Sequence, residues 1–587
     1  MRQFLLSTLG TFFGIILFFI GIILLFIVFG LVAGLKGAFT PKPQHILTLD
    51  MRQSIRDQSS NSNLFGSTAP STTGIVRKLH AAKDDKNIKG LFIRANSFGM
   101  TPATAEELRL GLLDFKSSGK FVIAHAQGFE GTSVMPYLAV SAADEIWQQD
   151  TTGFAVAGMR SEAEFYGGVM EKIEAKPQII QFHEYKNAAN TYMQSDLTEA
   201  HRESTTSYLT SLYNVALGHI AEDREMSEDA VKSVFMASPH SAENVLAKGM
   251  IDMLGQYEEA KAYAQTKAGG DKIKFKRINT YTVPPKFSGP AIAVIGGEGA
   301  VMTGSSSDGS NPFNPSVTMG GDTLAKAFDS AAKDKNVKAI VFRVSSPGGS
   351  PAASDQIHAA VARAKDAGKP VVISMGKYAA SGGYYVAANA DKIVAMPSTI
   401  TGSIGVFGGK IAFRDTFAKV GYNIEGISVG GDYLGVFSPD EPFTQGQEAA
   451  YRGQLQDIYD DFTGRVAAGR DIPIETVREI AKGRVWTGAQ AKERGLVDEL
   501  GGFMKAVEVA KTLAEIEDGD KFYFKKFPKA KSTSEQLEEL FGGSVEAAKE
   551  LQSLREIRSL PEVQAVLRAR AAMEAGQELK ADIGLVE

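Results

Sequence analysis

The chain has 587 residues, 44% of them hydrophobic and 22% charged, with a formal net charge of −5 and no cysteine. A chain of this length is too long for one hydrophobic core, so two or more domains are expected. The small negative charge provides no basic surface, which argues against a nucleic-acid partner. The lack of cysteine excludes disulfides, thiol catalysis and cysteine-ligated metals.

The N-terminal segment 1–40 is predicted to be a membrane anchor. No residue from Phe4 to Leu35 is charged, and about 20 apolar residues suffice to cross a bilayer. A cleaved signal peptide would have an apolar region of only about 7–15 residues. Arg2 lies on one side of the span and Lys36 and Lys42 on the other, so charge leaves the orientation undecided.

The rest of the chain repeats itself. The run DKNIKG at 85–90 recurs as DKNVKA at 334–339, and YLAVSAAD at 137–144 recurs as YYVAANAD at 384–391. The pair AKGMIDMLG at 247–255 and ERGLVDELG at 493–501 closes the pattern, and the offset stays between 246 and 249 residues throughout. A steady offset predicts a duplicated domain. We place the repeats at 45–265 and 290–512, followed by a charged, helix-prone tail at 513–587.

Each repeat alternates short β-rich runs with longer helical patterns. An example is KAIVFRV, then AASDQIHAAVARAKDAG, then KPVVISM. This alternation is typical of βαβ units and predicts an α/β fold with a mostly parallel sheet.

Three clusters of small residues follow strands of the second repeat, at 345–349, 379–384 and 401–405. Turn chemistry would explain any one of them. Together, at the carboxyl edge of a parallel sheet where ligands usually bind, they predict a site. Ser381 lies in the middle cluster, and a serine flanked by backbone N–H donors has both a nucleophile and a place for an oxyanion.

The base for such a serine is predicted to be a lysine. Of eight histidines, only His358 lies in the second repeat, on a helix expected to be exposed. The repeat offers Lys186 instead, because the equivalent stretch of the second copy, 432–435, has no lysine. Conversely, Val134 occupies the position of Ser381 in the first copy. Each copy has therefore kept a different half of a site, and burial can lower a lysine pKa enough for it to act as a base.

At this point the sequence resembles a known family. The runs EYKNAA, RVSSPGGS, SMGKYAASGGYY and PSTITGSIGVFG are similar to those of the long, duplicated form of signal peptide peptidase A. The resemblance covers about residues 45–520 and the anchor. It implies two tandem crotonase-like, or Clp-protease-like, repeats that assemble as a bowl-shaped homotetramer and hydrolyse remnant signal peptides. It also implies a single-pass protein of the inner membrane whose catalytic part faces the periplasm, with no metal or cofactor.

Carried over residue by residue, the resemblance assigns a role to each candidate. Ser381 is similar to the nucleophile, Lys186 to the general base, and Ser403 to the hydroxyl that orients the lysine. Gly382 resembles one oxyanion donor, and the loop of Gly348 and Gly349 resembles the other.

Two alternatives remain open on the sequence alone. A crotonase-type acyl-CoA enzyme would share the fold and the glycine loops, and a non-catalytic membrane scaffold would share the anchor. A further motif, G-x-S-x-G at 426–430 around Ser428, resembles the nucleophile elbow of α/β-hydrolases. That elbow requires a helix after the serine, and the Gly- and Pro-rich run that follows argues against one.

Overall fold

The computed structural model describes residues 43–59, 70–283, 289–309, 316–517 and 519–529. The predicted membrane anchor lies outside them. Within these ranges, no helix has both the length and the hydrophobicity to cross a bilayer. The described residues form two compact units. Unit 1 comprises 43–54, 74–160 and 213–283, and unit 2 comprises 55–59, 70–73, 161–212 and the described residues from 289 onward.

The described strands, in chain order, are β1 His45–Asp50, β2 Ile88–Arg94, β3 Phe121–Ala126, β4 Glu145–Gln148, β5 Gly153–Phe154, β6 Lys176–Gln181, β7 His240–Ser241, β8 Met253–Leu254, β9 Lys274–Arg277, β10 Ala291–Glu298, β11 Ala300–Met302, β12 Ser307–Asp308, β13 Val317–Gly320, β14 Val337–Ser346, β15 Val371–Ala380, β16 Lys392–Ala395, β17 Ile400–Gly402, β18 Phe407–Ala412, β19 Val485–Thr487, β20 Glu499–Leu500 and β21 Tyr523–Phe527. The described α-helices are α1 Thr72–Lys83, α2 Pro102–Lys116, α3 Met135–Ser141, α4 Gly167–Lys172, α5 Asn190–Met193, α6 Glu199–Asp223, α7 Glu228–Met236, α8 Ala242–Ala247, α9 Tyr257–Ala268, α10 Gly321–Lys333, α11 Pro351–Asp366, α12 Gly382–Tyr385, α13 Arg414–Ala418, α14 Gln445–Arg470, α15 Ile474–Ile480, α16 Gly488–Glu493 and α17 Phe503–Leu513.

The two units contain the same sheet. In unit 1 the strand order is β8-β4-β3-β2-β1-β9, and every neighbouring pair is parallel. In unit 2 the equivalent strands follow the same order, β20-β16-β15-β14-β10-β21, also in parallel. The predicted α/β fold with a duplicated, mostly parallel sheet is therefore confirmed.

Unit 2 extends its sheet where unit 1 does not. The last residues of β15 pair with β17, and β17 pairs in antiparallel fashion with β19. Strand β14 is buried along almost its whole length, as expected of a parallel strand covered on both faces. Helices α10 and α11 contribute to the surrounding apolar core, and α17 has buried apolar residues of its own.

Two features differ from the repeat boundaries drawn on the sequence. Strand β21 lies in the segment assigned to a helix-prone tail, yet it pairs with β10 as β9 pairs with β1. Residues 161–212, placed in the first repeat, belong to compact unit 2. The physical cause is the antiparallel pair of β6 with β18, supported by a cluster of Ile180, Val406, Leu455 and Tyr459.

Candidate active site

Ser381 lies between the end of β15 and the short helix α12. Its backbone has φ 54° and ψ −123°, a region that residues other than glycine rarely occupy. The Ser381 N–H donates to the carbonyl oxygen of Gly402 at 2.8 Å. Behind it, a Cβ on Gly383 would lie 2.6 Å from the Ser346 carbonyl oxygen. The serine is thus held on a strained turn that close packing with neighbouring backbone maintains.

Lys186 follows β6 and reaches the same point within unit 2. Its Nζ lies 3.0 Å from Ser381 Oγ, 2.9 Å from Ser403 Oγ and 2.9 Å from the Ser403 carbonyl oxygen. The residue is only 4% exposed. The structure therefore brings Lys186 of the first repeat within hydrogen-bond distance of Ser381 of the second repeat, in one chain.

The electrostatics of Lys186 follow from burial. Removal from water lowers the pKa of its ammonium group to about 7, because the charged form loses hydration. No carboxylate among the described residues forms an ion pair with it within 4 Å. Near pH 7, a substantial fraction of Lys186 is therefore the neutral amine, which can accept a proton.

Ser403 positions the amine of Lys186 through two oxygen atoms. Its backbone has φ 49°, and its N–H donates to the Arg484 carbonyl oxygen at 2.7 Å. With the backbone fixed in this way, both the hydroxyl and the carbonyl of Ser403 face Lys186 Nζ.

The loop of Gly348 and Gly349 approaches the serine closely. A Cβ on Gly348, whose φ is 104°, would lie 2.7 Å from both Gly382 N and Ser381 Cβ. Val301 holds this loop, donating its N–H to the Gly348 carbonyl and accepting from Ser350 N–H, each at 2.8 Å. Only glycine fits at this point.

Two backbone donors converge beside Ser381. The Gly349 nitrogen lies 3.2 Å from the point where a Cβ of Gly382 would stand. Among the described residues, neither the Gly349 nor the Gly382 N–H donates to another protein atom. Such a pair of unengaged donors next to a nucleophile can bind a developing oxyanion.

The remaining sequence candidates lie elsewhere. His358, expected on an exposed helix, is buried against the Tyr385 ring at 5.5 Å between centroids, and burial lowers its pKa to about 4. The expectation of exposure was wrong because α11 packs into the core of unit 2. Ser428 lies in an irregular stretch whose neighbours Ile427 and Val429 are almost fully exposed, and no α-helix starts directly after it.

Sequence reasoning did not find one element of the site, the segment around Gly483. With φ 78°, Gly483 lies so close to the lysine that a Cβ there would be 2.6 Å from Lys186 Cβ. Its N–H donates to the Ile404 carbonyl oxygen at 2.8 Å. In the sequence this glycine follows a helix and is easily interpreted as a helix terminator, so only tertiary contacts reveal its part.

Comparison with known proteins places the chain among proteases. The family model described as Peptidase family S49 matches residues 114–270 and 363–517. Protease 4 of Salmonella typhi is 31% identical over 514 residues, covering 82% of this chain and 80% of that protein. The chloroplastic serine protease SPPA of Arabidopsis thaliana is 28% identical over 480 residues, covering 80% and 69%. A solved ClpP1 mutant from Listeria monocytogenes matches 36% of this chain and 94% of its own at 13% identity, with a TM-score of 0.24, too low to bear on the crotonase-like part of the fold prediction.

Proposed function

The chain belongs to peptidase family S49 and is a serine protease, and from that premise we propose that Ser381 is its nucleophile and Lys186 its general base. The observation that carries the proposal is the 3.0 Å separation of Lys186 Nζ and Ser381 Oγ. It is supported by the burial that lowers the lysine pKa to about 7. A nucleophile within hydrogen-bond reach of a base held by a third group is the arrangement that acyl transfer requires.

The proposed reaction uses only groups of this chain. Neutral Lys186 accepts the Ser381 proton as Oγ attacks the peptide carbonyl, while the N–H groups of Gly382 and Gly349 stabilise the oxyanion. The conformation of Gly348 lets its loop reach that position. The lysine ammonium then donates its proton to the leaving amine, and water hydrolyses the acyl-enzyme. Ser403 keeps Nζ aligned through both steps.

The finer functional proposal concerns substrates and location. Peptides are the substrates of a protease, and we infer that this one degrades apolar, extended peptides such as remnant signal peptides. Residues 4–35, uncharged and apolar, would anchor it as a single-pass protein of the inner membrane with its catalytic part in the periplasm. An extended substrate would bind by β-addition, through backbone hydrogen bonds to a strand near the site. We further propose that the chain self-associates, as a homotetramer.

A serine-directed fluorophosphonate tests the catalytic assignment directly. We expect peptide mapping of the treated full-length chain to find one adduct, on Ser381, and the rate of labelling to rise with pH through about 7. Lys186→Ala is expected to slow labelling strongly. Lys335→Ala, at an exposed lysine, is expected to leave the labelling rate unchanged. An adduct on another serine, or unchanged labelling in the Lys186 variant, would contradict the dyad.

A further inference from the structure

Arg484, just before β19, lies beside the segment that carries Lys186. Its guanidinium carbon is 4.8 Å from the centre of the Tyr185 ring and 4.4 Å from the centre of the Trp486 ring. A guanidinium within about 6 Å of an aromatic ring is attracted to it, and more strongly where water is excluded. The Arg484 side chain is only 13% exposed, so it makes a largely shielded contact with the residue next to the lysine.

The same guanidinium forms a bidentate ion pair with helix α6. Its Nη1 and Nη2 donate to the two carboxylate oxygens of Glu203, at 2.5 and 2.7 Å. A bidentate pair fixes the orientation of the guanidinium as well as adding energy. Because Glu203 follows the lysine segment in the chain, the Arg484 side chain contacts this part of the first repeat at two points, Tyr185 and Glu203.

The backbone of Arg484 holds the other partner of the lysine. Its carbonyl oxygen accepts from Ser403 N–H at 2.7 Å, and Ser403 has the two oxygen atoms that lie 2.9 Å from Lys186 Nζ. The preceding residue, Gly483, lies directly against Lys186. Arg484 therefore contacts the segment of the base through its side chain, and the residue that orients the base through its backbone.

The first repeat has no equivalent of this arginine. At the offset of 246 residues that closes the repeat, Arg484 corresponds to Ser238. The Ser238 hydroxyl donates to the carbonyl oxygen of Val156, which is the residue equivalent to Ser403. The link between these two positions is thus kept in both copies, whereas the guanidinium is present only in the copy that meets the lysine. The fold itself does not require an arginine at this position.

We propose that Arg484 is a positioning residue for the general base, Lys186. By holding Tyr185 and Glu203 in place, it keeps the lysine amine aligned with Ser381. The inference deepens the proposed dyad, on which it rests. Without the guanidinium, the lysine segment loses two of its contacts and water can approach the amine. A displacement of about 1 Å at a reacting group can reduce the rate by about 10²-fold.

The rate at which a serine-directed fluorophosphonate labels the full-length chain, measured from about pH 6 to pH 10, tests this role. Arg484→Ala is expected to slow labelling at pH 7 by about 10–100-fold. The midpoint of the rise with pH, expected near 7 in the wild type, should move to higher pH, because hydration favours the charged amine. Tyr185→Leu should act in the same direction to a smaller extent. The two substitutions together should cost less than the product of their separate effects, because they remove one shared contact.

Two further variants separate positioning from charge. Arg484→Lys keeps the positive charge but cannot form the planar bidentate pair, so it should remain slow, with a raised midpoint. Lys482→Gln is the matched control, because Lys482 links the same two segments through an ion pair with Glu184, 3.7 Å long and largely exposed. Such exposed pairs contribute little, so this variant should label as the wild type does.

Thermal unfolding at pH 7 shows whether each variant is folded, and Tyr185→Leu, at a partly exposed residue, decides the test if the Arg484 variants do not fold. Slow labelling with an unchanged midpoint would mean that the contact only supports the fold, and would overturn the assignment. Wild-type rates in Arg484→Lys and Tyr185→Leu, beside slow labelling of Lys186→Ala, would overturn it and leave the dyad standing. Fast labelling of Lys186→Ala would instead contradict the dyad itself, and the role of Arg484 with it.

Discussion

The two repeats share a framework and differ in chemistry. In both, an aspartate side chain accepts a hydrogen bond from a backbone N–H at or next to the start of the third strand. Asp144 accepts from Val122 and Asp391 from Val371, each at 2.7 Å. In both, a fully buried tyrosine donates to a backbone carbonyl, Tyr137 to Met250 at 2.5 Å and Tyr384 to Leu496 at 2.8 Å. These contacts hold the sheet and helices together, so either copy loses stability without them.

The two repeats differ in the turn that precedes α12 in unit 2 and α3 in unit 1. Ser381 has a φ of 54°, but Val134, at the equivalent position, is buried with a φ of −72° and continues smoothly into α3. The first copy has therefore lost the strained turn along with the hydroxyl. Residues in rarely occupied backbone conformations are often found at functional sites, and we expect that a single substitution in unit 1 will not recreate this one.

The largest expected effect comes from exchanging the residues at this turn. Ser381→Ala should reduce peptide hydrolysis by about 10⁴-fold or more, because no nucleophile remains. Val134→Ser, which places a hydroxyl in unit 1, should add no activity, since its backbone has an ordinary φ of −72° and the segment equivalent to the Lys186 loop, 432–435, contains no lysine. Active-site titration with fluorophosphonate measures both. Two labelled serines per chain in the Val134 variant would show that the turn geometry is not decisive.

Lys186→Met should reduce hydrolysis by about 10³-fold through loss of the base. In the wild type, kcat/KM should rise through an apparent pKa of about 7, as the buried ammonium loses its proton. The unfolded lysine titrates near 10.5, so between about pH 7 and 10.5 the unfolded chain binds a proton that the folded chain lacks, and stability rises with pH.

The Lys186→Met variant tests this dependence of stability on pH. It should be more stable than the wild type below pH 7, and the gain should disappear towards pH 10.5. Thermal unfolding of the full-length chain at pH 6 and pH 9.5 measures the difference. A gain that did not change with pH would mean that Lys186 is not desolvated.

Gly348→Ala tests the proposed oxyanion role of the loop at 348–349, and unit 1 provides its control. The added Cβ would meet Gly382 N and Ser381 Cβ at 2.7 Å, so the loop must retract and hydrolysis should fall about 10²-fold. Gly99, the equivalent residue, also has a positive φ, but nothing lies within 4 Å of its Cβ position. Gly99→Ala should lower stability slightly and leave kcat/KM unchanged. Equal losses of activity in both variants would point to backbone strain rather than to the site.

Ser403→Ala should have a smaller effect, about 10-fold on kcat. The variant loses the hydroxyl 2.9 Å from Lys186 Nζ but keeps the Ser403 carbonyl at the same distance, so the amine retains one of its two fixed partners. The equivalent residue in unit 1 is Val156, which is buried. A shift in the pH profile with little change in KM would distinguish loss of positioning from loss of substrate binding.

The sequence predicted the parts of the site that the repeat makes visible. The positions of Ser381 and Lys186 stood out because the equivalent positions, Val134 and 432–435, lack those groups. It could not predict that residues 161–212 pack within unit 2, because which strands pair across long sequence separations depends on tertiary contacts. The burial of His358 and the contact of Gly483 with Lys186 were missed for the same reason.

The strand β21 was missed although its signal was present. DKIKFK at 271–276 recurs as DKFYFK at 520–525, so the repeat extends past the boundary placed at 512. Residues 513–587 are charged and helix-prone taken together, so this segment was predicted to be a helical tail. In the sheet the two runs form the edge strands β9 and β21, and charged side chains are common on edge strands.

The smallest expected effect on hydrolysis comes from the buried tyrosine that both repeats share. Tyr137→Phe and Tyr384→Phe each leave a buried carbonyl without its donor, which should cost about 1–2 kcal/mol of stability in either unit. Because Tyr384 donates its backbone N–H to the Ser381 carbonyl at 2.8 Å, and the variant keeps that bond, hydrolysis should stay within a few-fold of wild type in both. Thermal unfolding and kcat/KM, measured under the same conditions for both variants, compare their stability and activity. If Tyr384→Phe lost activity far beyond Tyr137→Phe at equal stability, the phenol would belong to the chemistry, and the division into a common framework and a single reactive copy would have to be redrawn.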